Sequence, residues 1–310
     1  MTKFAPHKSV LLKESVELLF TDSDGIYMDG TIGFGGHSEE ILKKISSNGK
    51  LIGIDLDPYA LEYSKKRLSK IQASYSLHQG NFREYPNLLQ KLGIKELTGI
   101  LLDLGFSSSQ INTRHRGFSF QSNALLDMRF NQEKGITARE YLNTSNVEEI
   151  SFVIERFGED RKHSLIAKNI YHAAHKGKMN TTFDLKNAIK DVVNPRFLNK
   201  SLARVFQAIR IKINDELGAL EETLLNSIQW LKKGGRISTI SFHSLEDKLI
   251  KKIFVKNSLS CICPRNFPVC KCDTIPTMKL LNRKAIKPTN LEIQKNPRSR
   301  SAKLRVAERI

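Results

Sequence analysis

The sequence has no apolar run approaching the ~18 residues that a membrane span needs. Its first twenty residues are interrupted by Lys8, Lys13, Glu14 and Glu17, which excludes the apolar core of a secretory leader. Cysteine is scarce. The four residues all fall between Cys261 and Cys272, too few and too clustered for a secreted disulfide framework. No internal repeat is visible, and acidic residues are in deficit: 32 Asp plus Glu stand against 50 Lys plus Arg, a formal charge of +18. These absences predict a cytoplasmic protein with no membrane partner. The charge predicts a polyanionic one, which leaves nucleic acid.

What is present suffices for a core. With 40% hydrophobic and 8% aromatic residues over 310 positions, disorder throughout is excluded, and one large α/β domain with an insertion fits the length. Short apolar runs at 26–29, 50–55, 74–78 and 99–104 read as strands, with helical patterns at 38–45, 58–71 and 85–92 between them. Repeated strand–helix–strand units predict a mostly parallel, doubly wound sheet. From 113 to 212 the periodicity is helical only, at 146–157, 162–175, 182–193 and 201–211, with 18 Lys plus Arg against 10 Asp plus Glu. A helix at 214–231, stopped by Gly234–Gly235, then leads to a strand at 236–242 and a helix at 244–254 with Ser244 and Asp247 spaced as a capping box. The expected organisation is therefore a discontinuous catalytic domain, 1–112 with 213–310, interrupted by a helical substrate-binding domain at 113–212. The tail from 276 onward carries 10 Lys plus Arg against 2 Asp plus Glu, and its alternation at 303–308 predicts an edge strand.

Four turns carry chemistry. Asp29-Gly-Thr-Ile-Gly-Phe-Gly-Gly-His-Ser38 lies where the first strand becomes a helix, so bare backbone N–H groups can face a ligand there. Asp55 ends the second strand about twenty residues on, where a carboxylate accepts the ribose hydroxyls of an adenosine; Asp57 is better placed to cap the following helix. Phe82, after the third strand, sits where a loop can cover an adenine face or simply join the core. Asp103-Leu-Gly-Phe-Ser-Ser-Ser-Gln110 ends the fourth strand with a carboxylate, three hydroxyls and an amide, at the edge where α/β sheets bind ligands.

These residues carry a resemblance. The segments 29–38, 52–58 and 103–110, together with Arg-Gly-Phe-Ser-Phe (116–120), Leu-Asp-Met-Arg (126–129), Phe-Gln-Ala-Ile-Arg-Ile (206–211), Ile-Ser-Phe-His-Ser-Leu-Glu-Asp (240–247) and Pro-Arg-Ser-Arg-Ser-Ala-Lys-Leu-Arg (297–305), resemble the bacterial ribosomal RNA small-subunit methyltransferase H family in family order along nearly the whole chain. The resemblance implies a Rossmann-like methyltransferase sheet with an inserted all-helical domain. It also implies transfer of methyl from S-adenosylmethionine to the exocyclic N4 of a cytidine in 16S ribosomal RNA of the small subunit. It places cofactor contacts at Gly35, Gly36, His37, Asp55, Phe82, Asp103 and Gln110. The chain departs from the family at Ser201-Leu-Ala-Arg204 and at His7-Lys-Ser9, both outside the cofactor turns.

The reaction sets its own demands. The N4 lone pair is delocalised into the ring, so an acceptor must hold the amine beside the methyl, and the cytidine must be unpaired or flipped. Asp103 and Phe106 can supply polar and stacking parts, without the two prolines of other amino-methyltransferases. Two roles are open to Asp103, positioning the amine or binding the amino-acid part of the cofactor. His243, after the last major strand, is read as a proton acceptor or as a helix cap. Cys261, Cys263, Cys270 and Cys272 form C-x-C-x6-C-x-C, a set able to hold a structural zinc ion. Arg114, Arg116, Arg298, Arg300, Lys303 and Arg305 are the candidate phosphate contacts. No protein partner is identifiable. The rival readings are an adenosyl-cofactor methyltransferase acting on DNA or a small molecule, and a non-catalytic RNA-binding or assembly factor.

Overall fold

The computed structural model describes residues 8–105, 116–263 and 271–310. The chain divides into two compact units, 1–105 with 217–310, and 106–216. In the first, helix α1 (Leu12–Leu19) precedes strand β1 (Ile26–Asp29), and α2 (Gly36–Leu42), β2 (Lys50–Asp55), α3 (Pro58–Leu68), β3 (Ser74–Gln79), α4 (Tyr85–Lys91) and β4 (Leu97–Asp103) follow in alternation. Local chemistry sets the helix starts. Asp57 accepts from the Tyr59 amide while Pro58, which has no N–H to satisfy, takes the first helical position of α3. Helix α1 was not expected from the sequence, because its single turn and a half of apolar spacing lies between charged residues.

The second unit is helical. Helices α5 (Ala138–Thr144), α6 (Val147–Gly158), α7 (His163–His175), α8 (Thr182–Lys190) and α9 (Pro195–Asn214) pack around Leu142, Ile150, Ile154, Ile166, Leu185 and Ile209. Capping boxes open three of them, Thr137 with Glu140, Asn146 with Glu149 and Thr181 with Asp184. Helix α9 starts six residues before its expected position, because Asn194 caps it and Pro195 opens it. Ser201 and Arg204, the residues at one family departure, hold a buried carboxylate: Ser201 Oγ donates to Asp160 Oδ2 at 2.7 Å, and Arg204 Nη1 lies 3.9 Å from it.

The chain then returns to the sheet through α10 (Glu216–Trp230), β5 (Leu231–Ser241), α11 (Ser244–Ser258), β6 (Met278–Leu280), α12 (Asn290–Lys295) and β7 (Lys303–Arg309). The seven strands run in the order β3-β2-β1-β4-β5-β7-β6, parallel from β3 through β5, with β7 antiparallel to both of its neighbours. Alternate residues serve the two faces, as the period of two requires. Met28, Ile52, Ile54, Ile100 and Leu102 pack with α4, α10 and α11, whereas Tyr27, Leu51 and Leu101 pack with α1, α2 and α3. None of the described helices is long and apolar enough to cross a membrane.

Three expectations are corrected here. Gly234–Gly235 do not stop α10. They lie inside β5, where pairing jumps from Leu97–Leu231 to Gly99–Arg236 and Gly234 takes φ 76°, a bulge rather than a breaker. Strand β7 is not an edge, since the three-residue β6 covers it. The cap of α11 is His243 rather than Ser244, and its reciprocal partner is Glu246 rather than Asp247.

Asp247 does other work. It accepts from Lys303 Nζ and Arg305 Nε, each at 2.7 Å, and so ties the first turn of α11 to β7. Burial acts to raise its pKa, but the bonds from Arg305 and Lys303 outweigh burial and hold it below the ordinary value. Its stabilisation is therefore present above the unfolded carboxylate value of ~3.9 and is lost as pH falls through the lower folded value. Asp247→Asn is expected to cost about 1–3 kcal/mol near neutrality and to flatten the acid limb of the stability curve. Thermal melts from pH 2 to 7 check both.

Candidate active site

Strand order reverses between β1 and β4, so the chains leaving their carboxyl ends diverge, and the crevice so made is where such sheets bind ligands. Carboxylates end three of the five parallel strands at this edge: the buried Asp29 on β1 and the half-buried Asp55 on β2 and Asp103 on β4. Packing alone has no use for an acid in such a place, because burial disfavours its charge.

The turn after β1 lies across its neighbours and joins the three acids. Gly30 N donates to Leu101 O at 2.9 Å on one side, and Ile32 N donates to Ile54 O at 3.0 Å on the other. Asp103 N donates to Thr31 Oγ1 at 2.6 Å, and Gly33 N donates to Asp55 Oδ2 at 2.8 Å. Asp29 accepts from Ser38 Oγ at 2.7 Å and from the Thr31 amide at 3.2 Å. Close approach is what the glycines permit. A Cβ on Gly30 would stand 2.7 Å from a Leu102 methyl and 3.1 Å from Phe82 Cβ, and Gly35, at φ 75°, caps α2 in the left-handed region. Phe82, after β3, is thereby placed against the same turn.

His37 is buried in the first turn of α2. Its Nε2 lies 3.1 Å from Val10 O, and its Nδ1 lies 3.7 Å from Asp103 Oδ2. A carbonyl oxygen only accepts, so Nε2 carries the hydrogen and Nδ1 faces Asp103 as the acceptor of a neutral ring. Burial keeps the His37 pKa below its ordinary value, against the charge of Asp29. Val10 is itself held from the far end of the sequence: Leu11 N donates to Glu292 Oε1 at 2.7 Å, and Asn296 Nδ2 donates to Lys8 O at 3.2 Å. Thr31, Ser38, Val10 and Glu292 were not singled out from the sequence. Only the hydroxyls of the first turn were a visible signal.

Burial pushes Asp29 and Asp55 up to about 6 and Asp103 up to about 7, with the charge of Glu246 adding to the Asp103 shift. Asp103 Oδ1 is buried and finds no hydrogen-bond partner among the described residues. His243 lies beyond β5, next to Phe242, which packs on Gly105. Its Nδ1 receives the Glu246 amide at 3.4 Å and its Nε2 lies 3.0 Å from Glu246 Oε1, the helix-cap arrangement. Gln110 and Phe106, with Arg114 and Cys270, lie outside the described residues.

The candidate phosphate contacts divide. Lys303 and Arg305 spend their charge on Asp247, and Arg116 donates to the Arg129 and Phe130 carbonyls at 2.9 and 2.6 Å, so these three are structural. Arg300 is exposed on the tail.

A sheet with this order and acids at this switch point defines the class of doubly wound enzyme that works with a nucleoside cofactor. Within that class the chain is a methyltransferase: it belongs to the MraW methylase family, which it matches over residues 4–310. It is 43% identical over 307 residues to the ribosomal RNA small subunit methyltransferase H of Halothermothrix orenii, covering 98% of each chain. It is 44% identical over 305 residues to the protein of the same name from Caldicellulosiruptor saccharolyticus, covering 98% of this chain and 99% of that one. The protein of that name from Clostridioides difficile is 41% identical over 307 residues, with 98% and 99% covered.

The Asp103 shift has a consequence for stability. With a folded pKa raised to about 7, its favourable contribution is complete below ~3.9 and is lost as pH rises through about 7. Asp103→Asn is expected to raise the melting temperature at pH 8 and to leave it nearly unchanged at pH 4. Melts of the two proteins across that interval check the sign.

Proposed function

We propose that this chain transfers the methyl group of S-adenosylmethionine to the exocyclic N4 of a cytidine in 16S ribosomal RNA, in the cytoplasm and on the small subunit or its RNA. The observation that carries the reading is the turn at residues 30–33, which binds the ends of β2 and β4 and brings Asp55, Asp103 and His37 to one edge. The family and the shared name of the relatives supply the reaction and the substrate, and the +18 charge suits a polyanion.

The residues present fit the cofactor. Asp55 is half-buried, its Oδ2 accepting from the Gly33 amide of the glycine turn and its Oδ1 from the Asp57 amide, at the strand end from which a carboxylate takes ribose hydroxyls. Gly30 has no room for a side chain beside Phe82, which leaves the aromatic to cover the base. Gly36 and His37 open α2 behind the left-handed Gly35, and a helix start of this kind leaves N–H groups for the cofactor's amino-acid end. Bound there, S-adenosylmethionine supplies a sulfonium methyl that a nitrogen nucleophile takes with loss of one amine proton.

Asp103 serves the nucleophile in this reading. Its unpartnered Oδ1 accepts an N–H of the cytidine amine, which fixes the nitrogen and draws its lone pair out of the ring. With a pKa near neutrality, raised by burial, the same carboxyl can take the departing proton. The neutral His37 ring, anchored on Val10, lies 3.7 Å from the other oxygen of Asp103. His243 holds the start of α11 instead of moving protons. The helical unit, with its excess of basic residues, is assigned to the RNA.

Calorimetric titration with S-adenosylmethionine tests the two acids separately. Asp55→Ala is expected to weaken binding about 10–100-fold, the worth of hydrogen bonds to a charged group. Asp103→Asn is expected to leave that affinity within about threefold and to lower kcat by about 10²–10⁴; a loss of affinity instead moves Asp103 to the cofactor. The substrate is tested by mass mapping of ribosomal RNA from cells lacking this protein, where one cytidine N4-methyl of the small subunit disappears. An unchanged profile overturns the assignment.

A further inference from the structure

The cysteine segment takes no part in the site described above, and the structure gives it a shape that packing does not explain. It joins α11 to β6 as a loop closed at its base, where Thr277 N donates to Asn257 O at 2.9 Å. Between them, among the described residues, not one from Leu259 to Thr277 is buried, and Leu259, Ile262 and Ile275 are exposed. The described part of the loop therefore buries no apolar side chain that would order it, and a staple is the other means of doing so.

The sulfurs nevertheless converge. Cys261, Cys263 and Cys272 bring their Sγ atoms within 4.8 Å of one another, and Cys261 and Cys272 stand 3.8 Å apart. A disulfide needs roughly 2.05 Å, far closer. Roughly 3.8 Å is instead the edge of a tetrahedron whose bonds from centre to sulfur are ~2.3 Å, the zinc–thiolate length. Backbone amides point at the same atoms: Ile262 N donates to Cys272 Sγ at 3.3 Å, Cys263 N to Cys261 Sγ at 3.4 Å, and Lys271 N to Cys263 Sγ at 3.4 Å. N–H donors aimed at sulfur favour the thiolate, the form that binds a metal. Sulfur-only tetrahedral donors select zinc over the hard cations.

We infer that Cys261, Cys263 and Cys272 hold one zinc ion that pins the loop between α11 and β6. The fourth cysteine of the motif, Cys270, lies outside the described residues and stands next to Lys271 in the sequence. Each thiol releases its proton on binding, so the loop gains its fixed form with the metal and not before it. The role is structural. The site is remote in sequence from the cofactor turns and does not depend on the methyltransferase reading.

The test uses the full chain, expressed without an affinity tag that binds metal and purified without chelators. Elemental mass spectrometry is expected to find about one zinc per chain. Cys263→Ser and Cys261→Ser are each expected to leave less than about a tenth of an equivalent, with S-adenosylmethionine affinity and melting profile kept as checks that the sheet has folded. Metal-stripped protein given one equivalent of Co²⁺ is expected to show a sulfur-to-cobalt charge-transfer band, lost in either variant. Wild-type protein holding less than about a tenth of an equivalent, and no cobalt band, overturns the inference. So does iron in place of zinc, or an intact mass showing a Cys261–Cys272 disulfide.

Discussion

The four residues from Gly30 to Gly33 are the constraint on which the remainder of this molecule depends. Their backbone leaves β1 and at once bonds to both adjoining strands, to Leu101 on one side and Ile54 on the other. Such a crossing is available only where strand order reverses, because elsewhere the neighbouring strand end is occupied by its own connection running the same way. Everything chemical follows from it. Asp55 and Asp103 belong to strands that do not touch each other, and the crossing turn is the common partner that fixes the distance between them. The shallow start of α2 and the placement of His37 are set by the same turn.

That arrangement is bought against folding stability. Three carboxyls are buried or half-buried with their pKa values raised, and Asp103 keeps an oxygen without a partner among the described residues. Charged groups in such places destabilise the chain that carries them, a pattern associated with sites that wait for a ligand. The offset lies in ordinary packing: the strands beneath the acids are mostly apolar, residues 97–102 are all buried along β4, and both sheet faces are covered. The lower unit of the edge, β5 with β7, is stitched by Asp247 through Lys303 and Arg305.

Much of the fold was legible because parallel strands buried on both faces write themselves as apolar runs, and because Gly and Pro punctuate the connections between them. β1, β2, β4 and the cap at Asp57 follow from those two signals, whereas only the middle of α9, 201–211, was expected. What was missed has physical causes. β6, at three residues, is too short for alternation to show, so β7 looked like an edge. Gly234 and Gly235 have the composition of a stop, yet a bulge needs the same backbone freedom. His243 and Ser244 are both able to cap a helix, and only the position of Glu246 decides between them. Lys303 and Arg305 looked like free charge because a run of basic residues says nothing of a carboxylate 56 or 58 positions away. At the site the acids and glycines were readable one by one. Their joining by Thr31, and the support of His37 from Val10, depend on hydrogen bonds with no periodicity to betray them.

The bond between Leu11 and Glu292 spans 281 positions of chain, and it carries an implication for the order of assembly. During synthesis the glycine turn, α2 and His37 are complete long before Glu292 exists. The segment around Val10 therefore lacks this bond until Glu292 has been made, and β5 must likewise await the whole helical unit before it can join β4. A ribosome-borne intermediate holds the acids but not the brace behind the imidazole. Residues around Glu292 and Asn296, although far from the glycine turn in sequence, are thus among the later parts made that reach the segment behind His37.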